Sequence, residues 1–148
     1  KDTNIILRGG IDDVWFNKKT KELIVVDYKS QASSKEVSQD TYFPKGGFHD
    51  SYKTQLNFYA YLIKGLNLKY KISDDSYLYV VNGLEVEKGF NGKIIFSETL
   101  IHHKVETDYL DGEIQEMINT INSNKIPTSN KSCKNCAYSR QRSVIDTL

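Results

Sequence analysis

The stretch "IVVDYK", Ile24 to Lys29, ends in an acid and a lysine one residue apart, and "GGID", Gly9 to Asp12, ends in another acid. Alternate residues of an extended strand share a face, so Asp27 and Lys29 point one way and Tyr28 the other. If the two stretches form a hairpin turning about Lys19-Thr20, opposed position numbers sum to 39 and Asp12 lies across from Asp27. Two carboxylates so opposed, with side chains roughly 5 Å apart, repel each other. A divalent cation between them reverses the sign of that interaction. Lys29 then falls opposite Gly10, where the missing side chain leaves room for a ligand. Acids that hold magnesium or manganese, with a lysine that stabilises charge developing at phosphorus or orients the attacking water, suit cleavage of a phosphodiester. Everything depends on register. A slip by one residue puts Asp12 opposite Val26 and sends the acids to different faces, and the plain alternative is a strand that ends in water with an Asp and a Lys.

The elements that must position these residues follow from patterning. Leu23 to Val26 form an apolar run suited to a strand buried on both faces, and Ser30-Gln31 mark where it leaves the sheet. Its partner is Ile5 to Phe16, interrupted by Gly9-Gly10, with the polar turn Asn17 to Lys21 between them. Residues 30–51 make a long polar connection, expected to be a flap beside the site. Lys35, Lys45 and Lys53 could meet phosphates there and Tyr42 or Phe43 an unpaired base, unless the loop is simply solvated. Tyr52 to Lys64 carries Leu56, Tyr59, Ala60 and Ile63 at helical spacing, with Ser51 as N-cap and Gly65 just past the end. Ser76 to Asn82 and Lys93 to Val105 read as strands, separated by a segment with Gly83, Gly89 and Gly92. Asp108 to Ile121 reads as an amphipathic helix with Leu110, Ile114, Met117, Ile118 and Ile121 on one side. His49, His102 and His103 are poor metal-ligand candidates, the adjacent pair because strand neighbours face opposite ways.

Composition bounds the rest. The 148 residues suit one domain with its own core, and shares of 39% hydrophobic and 26% charged are ordinary for a globular chain. No apolar run approaches the roughly 18 residues of a membrane helix, so neither a membrane span nor a signal peptide is expected. The chain begins with Lys1 rather than Met, which reads as a piece of a longer protein. The net charge of +1 is unevenly spread. No acid falls between Glu116 and Asp146, while Lys125, Lys131, Lys134, Arg140 and Arg142 do. Residues 125–148 are therefore a basic C-terminal segment, a solvated tail or a phosphate contact. Its Cys133 and Cys136 are too few for a disulfide framework and spaced as a metal half-site, which points to a reducing, cytoplasmic setting.

"GGID" (Gly9–Asp12), "VVDYK" (Val25–Lys29) and "QLNFY" (Gln55–Tyr59) resemble, in order, the three signature blocks of the PD-(D/E)XK nuclease superfamily in its RecB-like branch, related to AddB and to the CRISPR-adaptation nucleases. The resemblance covers roughly the first 60 residues. It implies an α/β fold with a restriction-endonuclease-like core, a mixed central β-sheet flanked by helices, in a single domain spanning 1–148 that lacks a helix upstream. It also implies a Mg2+- or Mn2+-dependent deoxyribonuclease, exo- or endonucleolytic, acting in recombination, repair or a phage-related process. The alternative is a catalytically inactive nucleic-acid-binding module of the same fold. Carried across by position, Asp12 and Asp27 become metal ligands with the Tyr28 backbone carbonyl, Lys29 the catalytic lysine, and Gln55 and Tyr59 contacts to the nucleic-acid strand or braces for the lysine. Helix packing is the other account of that last pair. Relatives carry a four-cysteine cluster, of which only Cys133 and Cys136 match. The pair is a cluster or zinc half-site, and an iron–sulfur cluster is open for a full-length protein but not expected in this chain. The implied partner is single- or double-stranded DNA, with a helicase or other recombination protein left open.

Overall fold

A computed structural model describes residues 4–44, 47, 49–84 and 92–145. The chain divides into two compact units, Lys1–Leu110 and Asp111–Leu148.

The first unit is built on the hairpin. Strand β1 (Asp13–Asn17) pairs antiparallel with β2 (Glu22–Ala32) from Asp13↔Val26 to Asn17↔Glu22, the register in which opposed numbers sum to 39. Turn chemistry sets it: Asn17 Oδ1 accepts from the Lys19 and Thr20 N–H groups at 3.0 and 3.2 Å, and the Lys21 N–H closes on Asn17 O at 2.8 Å. The strand before the turn is shorter than the sequence suggests. Among the described residues, 4–12 belong to no strand, so Lys29 has no strand partner at Gly10.

Beyond Asp27 the sheet continues on the other side of β2. After the two-residue β3 (Lys71–Ile72), which runs parallel to the start of β2, β4 (Asp75–Leu84) pairs parallel with β2 from Val26↔Tyr77 to Ala32↔Gly83. Strand β5 (Ile95–Lys104) then adds antiparallel to β4, giving a mixed five-stranded sheet of order β1-β2-β4-β5 with β3 beside β2. Ser30 and Gln31 are inside β2 rather than at its exit. A polar ladder sustains the strand where hydrophobic alternation fails: fully buried Asn82 accepts from Gln31 Nε2 at 3.3 Å and donates to Ser33 O at 3.1 Å.

The first half of the connection after β2 is tied to β5. Gln39, at the start of α1 (Gln39–Tyr42), donates to His102 O at 3.0 Å and accepts from the His102 N–H at 2.7 Å. Its amide thereby adds one rung to the edge strand β5. Thr99 Oγ1 donates to Val37 O at 3.2 Å, and Val37 and Tyr42 are buried. The Tyr42 ring is thus not offered to a base, while Lys45 and Gly46 lie outside the described residues, as does Gly89.

Helix α2 (Asp50–Gly65) lies against β2 and β3, and its N-cap is His49 rather than Ser51. Leu56, Tyr59, Ala60 and Ile63, one stripe at helical spacing, are buried against Val25, Leu78, Val80 and Ile101 of the sheet face that carries Asp27. The helix runs through Gly65, and the left-handed turn beyond it falls on Asn67 (φ 50).

Buried Asn57 locks α2 to the chain after β5. Its Oδ1 accepts from His103 Nε2 at 2.8 Å and the Glu106 N–H at 3.0 Å, and its Nδ2 donates to Tyr109 Oη at 3.2 Å. Burial holds the His103 pKa down, consistent with a neutral ring that carries its proton on Nε2. Asn57→Leu strands those donors, so it is expected to cost about 2–3 kcal/mol in urea unfolding. A loss below about 0.5 kcal/mol would show the network to be solvated.

The second unit holds most of α3 (Leu110–Ile121) and all of α4 (Lys134–Ile145). Within the basic segment, α4 starts where the Ala137 N–H meets Cys133 O at 3.0 Å. Among the described residues, no helix is long and apolar enough to cross a membrane.

Candidate active site

The end of β2 shows the strand alternation directly. Asp27 is 1% exposed and faces α2, whereas Tyr28 is 46% exposed on the other face, where its hydroxyl donates to Asp13 Oδ2 at 2.6 Å. Lys29 shares the face of Asp27 and forms an ion pair with its Oδ2. Gln55, from α2, ties the two together. Its Oε1 accepts from Lys29 Nζ at 3.0 Å, and its Nε2 donates to Asp27 Oδ1 at 3.2 Å and to Tyr59 Oη at 2.8 Å. Asp27, Lys29, Gln55 and Tyr59 therefore form one network, in which the Gln55–Tyr59 pair braces the acid and the lysine from a single helix face.

Asp12 sits just beyond the last hairpin pair, its Oδ2 accepting from the Tyr28 N–H at 2.9 Å. The N–H and C=O of one strand residue leave on the same side, so the Tyr28 carbonyl is directed toward the Asp12 edge. Burial pushes the Asp27 carboxyl pKa up; the Lys29 ammonium opposes that rise and the Asp12 charge adds to it. The two acids are thus electrostatic neighbours, as the register requires.

Of the two glycines before Asp12, Gly9 is the one with a steric task. A Cβ there would stand 2.8 Å from Leu62 Cδ1 and 3.0 Å from Tyr59 Cε1, whereas Gly10 borders open space. Glycine at position 9 lets the backbone pass against the Tyr59 ring.

Tyr52 was not singled out in the sequence. Lys29 Nζ lies 4.5 Å from the centroid of its ring, and that ring continues a stack through His49 (5.4 Å, 16°) to Tyr42 (4.2 Å, 18°). Burial, with Tyr52 and Asp27 nearby, pushes the Tyr42 hydroxyl pKa up to about 12. The overlooked signal was spacing: Tyr52, Gln55 and Tyr59 fall at i, i+3 and i+7 on α2.

The donor set fits a hard divalent cation. Asp27 Oδ2 is buried and paired with the Lys29 ammonium, with the Asp12 carboxylate as a further charged neighbour. The Asp12 carboxylate and the Tyr28 carbonyl edge supply further oxygens, and magnesium commonly uses one or two carboxylates and otherwise water and substrate phosphate. Among the described residues no three His, Cys, Asp or Glu side chains gather as a metal cluster. His102 pairs with Asp75 at 2.8 Å and His103 with Asn57, on opposite faces of β5 and away from Asp27.

Cys133 and Cys136 are free thiols at the start of α4. The Cys136 N–H approaches Cys133 Sγ at 3.4 Å, which lowers the Cys133 pKa, while the neighbouring sulfur raises that of Cys136.

A family model of the PD-(D/E)XK nuclease superfamily matches residues 2–141. The mixed sheet flanked by helices is consistent with the restriction-endonuclease-like fold of that superfamily. No curated protein and no solved structure gives a significant match.

Proposed function

Because the chain belongs to the PD-(D/E)XK nuclease superfamily, we propose that it hydrolyses DNA phosphodiester bonds with magnesium or manganese held by Asp12, Asp27 and the Tyr28 carbonyl. The observation that carries this reading is Asp27, a carboxylate sealed from solvent beside the Lys29 ammonium and next to a second acid, Asp12. Burying one carboxylate next to another costs stability, and a cation site gives the pair a use. When bound, the cation supplies Lewis acidity and a more acidic water.

This chain's own residues do the rest. Lys29 presents its ammonium to the oxygens of the scissile phosphate, where negative charge grows during attack. Gln55 holds Lys29 and Asp27 in one orientation, and Tyr59 fixes the Gln55 amide. The order Asp12, Asp27, Lys29, Gln55, Tyr59 supports a RecB-like assignment and a role in recombination, repair or a phage-related process. Free Cys133 and Cys136 support a cytoplasmic setting.

The test is cleavage of linear double-stranded and single-stranded DNA with Mg2+ or Mn2+, comparing the wild type with Asp27→Asn and Lys29→Met. Cleavage that survives both substitutions would sink the site assignment. A second reading, a catalytically silent nucleic-acid-binding module, is favoured by the absence of a third acidic or histidine ligand beside Asp12 and Asp27 among the described residues. DNA binding without cleavage in any divalent metal would establish it.

A further inference from the structure

The ladder between β1 and β2 stops one residue short of the proposed metal site. Asp13↔Val26 is its last pair, and among the described residues Asp12 belongs to no strand. Continued in the same register, the ladder would send the Tyr28 N–H to the Ile11 carbonyl; instead that N–H donates to Asp12 Oδ2 at 2.9 Å. The first acid is therefore held to β2 by a side-chain contact where a backbone rung is missing.

A second tie between the same two segments lies on the other face of the sheet. Asp13 turns to the face opposite Asp27, where its Oδ2 accepts from the Tyr28 hydroxyl at 2.6 Å and from the Trp15 indole N–H at 2.9 Å. Its Oδ1 accepts from the Val14 N–H at 2.8 Å, so both oxygens of the carboxylate are fixed. The short bond from Tyr28 has the length of a hydroxyl bonded to an ionised carboxylate. Adjacent acids thus grip one residue from two sides, Asp12 by its backbone N–H and Asp13 by its side chain. The Tyr28 carbonyl leaves on the same side as that N–H, so a turn of Tyr28 would move the donor to Asp12 and the proposed carbonyl ligand together.

We propose that Asp13 is a positioning residue: through the Tyr28 hydroxyl it fixes, from the reverse face of the sheet, the placement of Asp12 against the Tyr28 backbone on which the cation site depends. The inference rests on the nuclease reading above and adds to it a role for the second member of the Asp12-Asp13 pair, which faces away from the site. Without the Tyr28–Asp13 bond, the start of β1 parts from β2 at Asp12 and the oxygens around the cation lose their fixed spacing. Asp27 and Lys29 keep their own contacts to Gln55.

Mn2+ binding, measured by electron paramagnetic resonance of the free ion on the chain without nucleic acid, tests this. Tyr28→Phe, which removes the hydroxyl and keeps the ring and the backbone, should weaken binding about three- to tenfold, the scale of one hydrogen bond. Asp13→Ala should weaken it at least as much, and adding Tyr28→Phe to Asp13→Ala should weaken it no further, because both act through one bond. Tyr79 supplies the control. It lies beside Tyr28 in the sheet, and its hydroxyl makes a bond of the same kind between β4 and β5, to Glu98 Oε2 at 2.5 Å. Tyr79→Phe should therefore bind Mn2+ as the wild type does. Equal weakening in Tyr28→Phe and Tyr79→Phe would mark a general loosening of the sheet and overturn the proposal. Unchanged binding in Tyr28→Phe, or additive losses in the double variant, would overturn it as well. A wild type that binds no Mn2+ would instead sink the metal-site reading itself, and this inference with it.

Discussion

Asp27→Asn is expected to lower DNA cleavage about 10³-fold or more, and to remove a pH dependence of stability that the wild type carries. The first effect follows from losing the buried carboxylate that the proposed site offers a cation, a several-kcal/mol change in transition-state stabilisation. The second follows from the raised pKa of Asp27, caused chiefly by burial. A folded state that binds the proton more tightly than the unfolded chain gains stability from it below the ordinary carboxylate pKa. That gain disappears as pH rises through the higher folded value. Asparagine does not titrate. The Tm of Asp27→Asn minus that of the wild type should therefore increase from about pH 4 toward neutrality. Each unit by which the folded pKa exceeds the unfolded one is worth about 1.4 kcal/mol, or about 3–6 °C for a chain of this size. Circular-dichroism melts at several pH values check this, and a difference that stays flat or falls with pH would show that Asp27 is not held against its charge.

Lys29→Met should also cost about 10²–10³ in cleavage rate, the usual penalty for removing a preorganised group aimed at developing negative charge. Its effect on stability runs in the opposite pH direction. Asp27 is then buried without a counter-charge, and breaking a buried pair from one side costs about 3–5 kcal/mol when the remaining group must stay ionised. Asp27 escapes that cost by taking a proton, so the loss in Tm should be greatest at neutral pH and shrink toward pH 4. The double substitution Asp27→Asn with Lys29→Met should recover much of the stability lost in Lys29→Met alone, measured by urea unfolding at pH 7. Single-substitution effects that simply add would show that the acid and the lysine are not coupled.

Much of this arrangement was legible in local pattern. The period of two along β2 places Asp27 and Lys29 on one face whatever surrounds them. The register with Asp12 was one of two the sequence left open, and the Asn17 turn contacts of the folded hairpin select it. The Leu56, Tyr59, Ala60 and Ile63 stripe marked α2 and its buried face. Residues 4–12 misled because Ile5, Ile6 and Leu7 carry strand-like side chains, yet all three are exposed and Gly9 is spent on packing against Tyr59. Ser30 and Gln31 misled in the other direction, since β2 persists there through polar contacts with Asn82 that no hydrophobic period announces.

By itself the sequence determined which residue types stand at fixed spacing along each element, because strand and helix periods are properties of the local backbone. Only the tertiary structure decided what those faces meet. It brought Gln55 across to Asp27 and Lys29, sealed Asp27 Oδ2 from water, and laid the Tyr52 ring against the lysine. Those contacts join residues more than twenty positions apart, and they exist because α2 must bury one apolar stripe on the face of the sheet where the "IVVDYK" strand presents its acid and base.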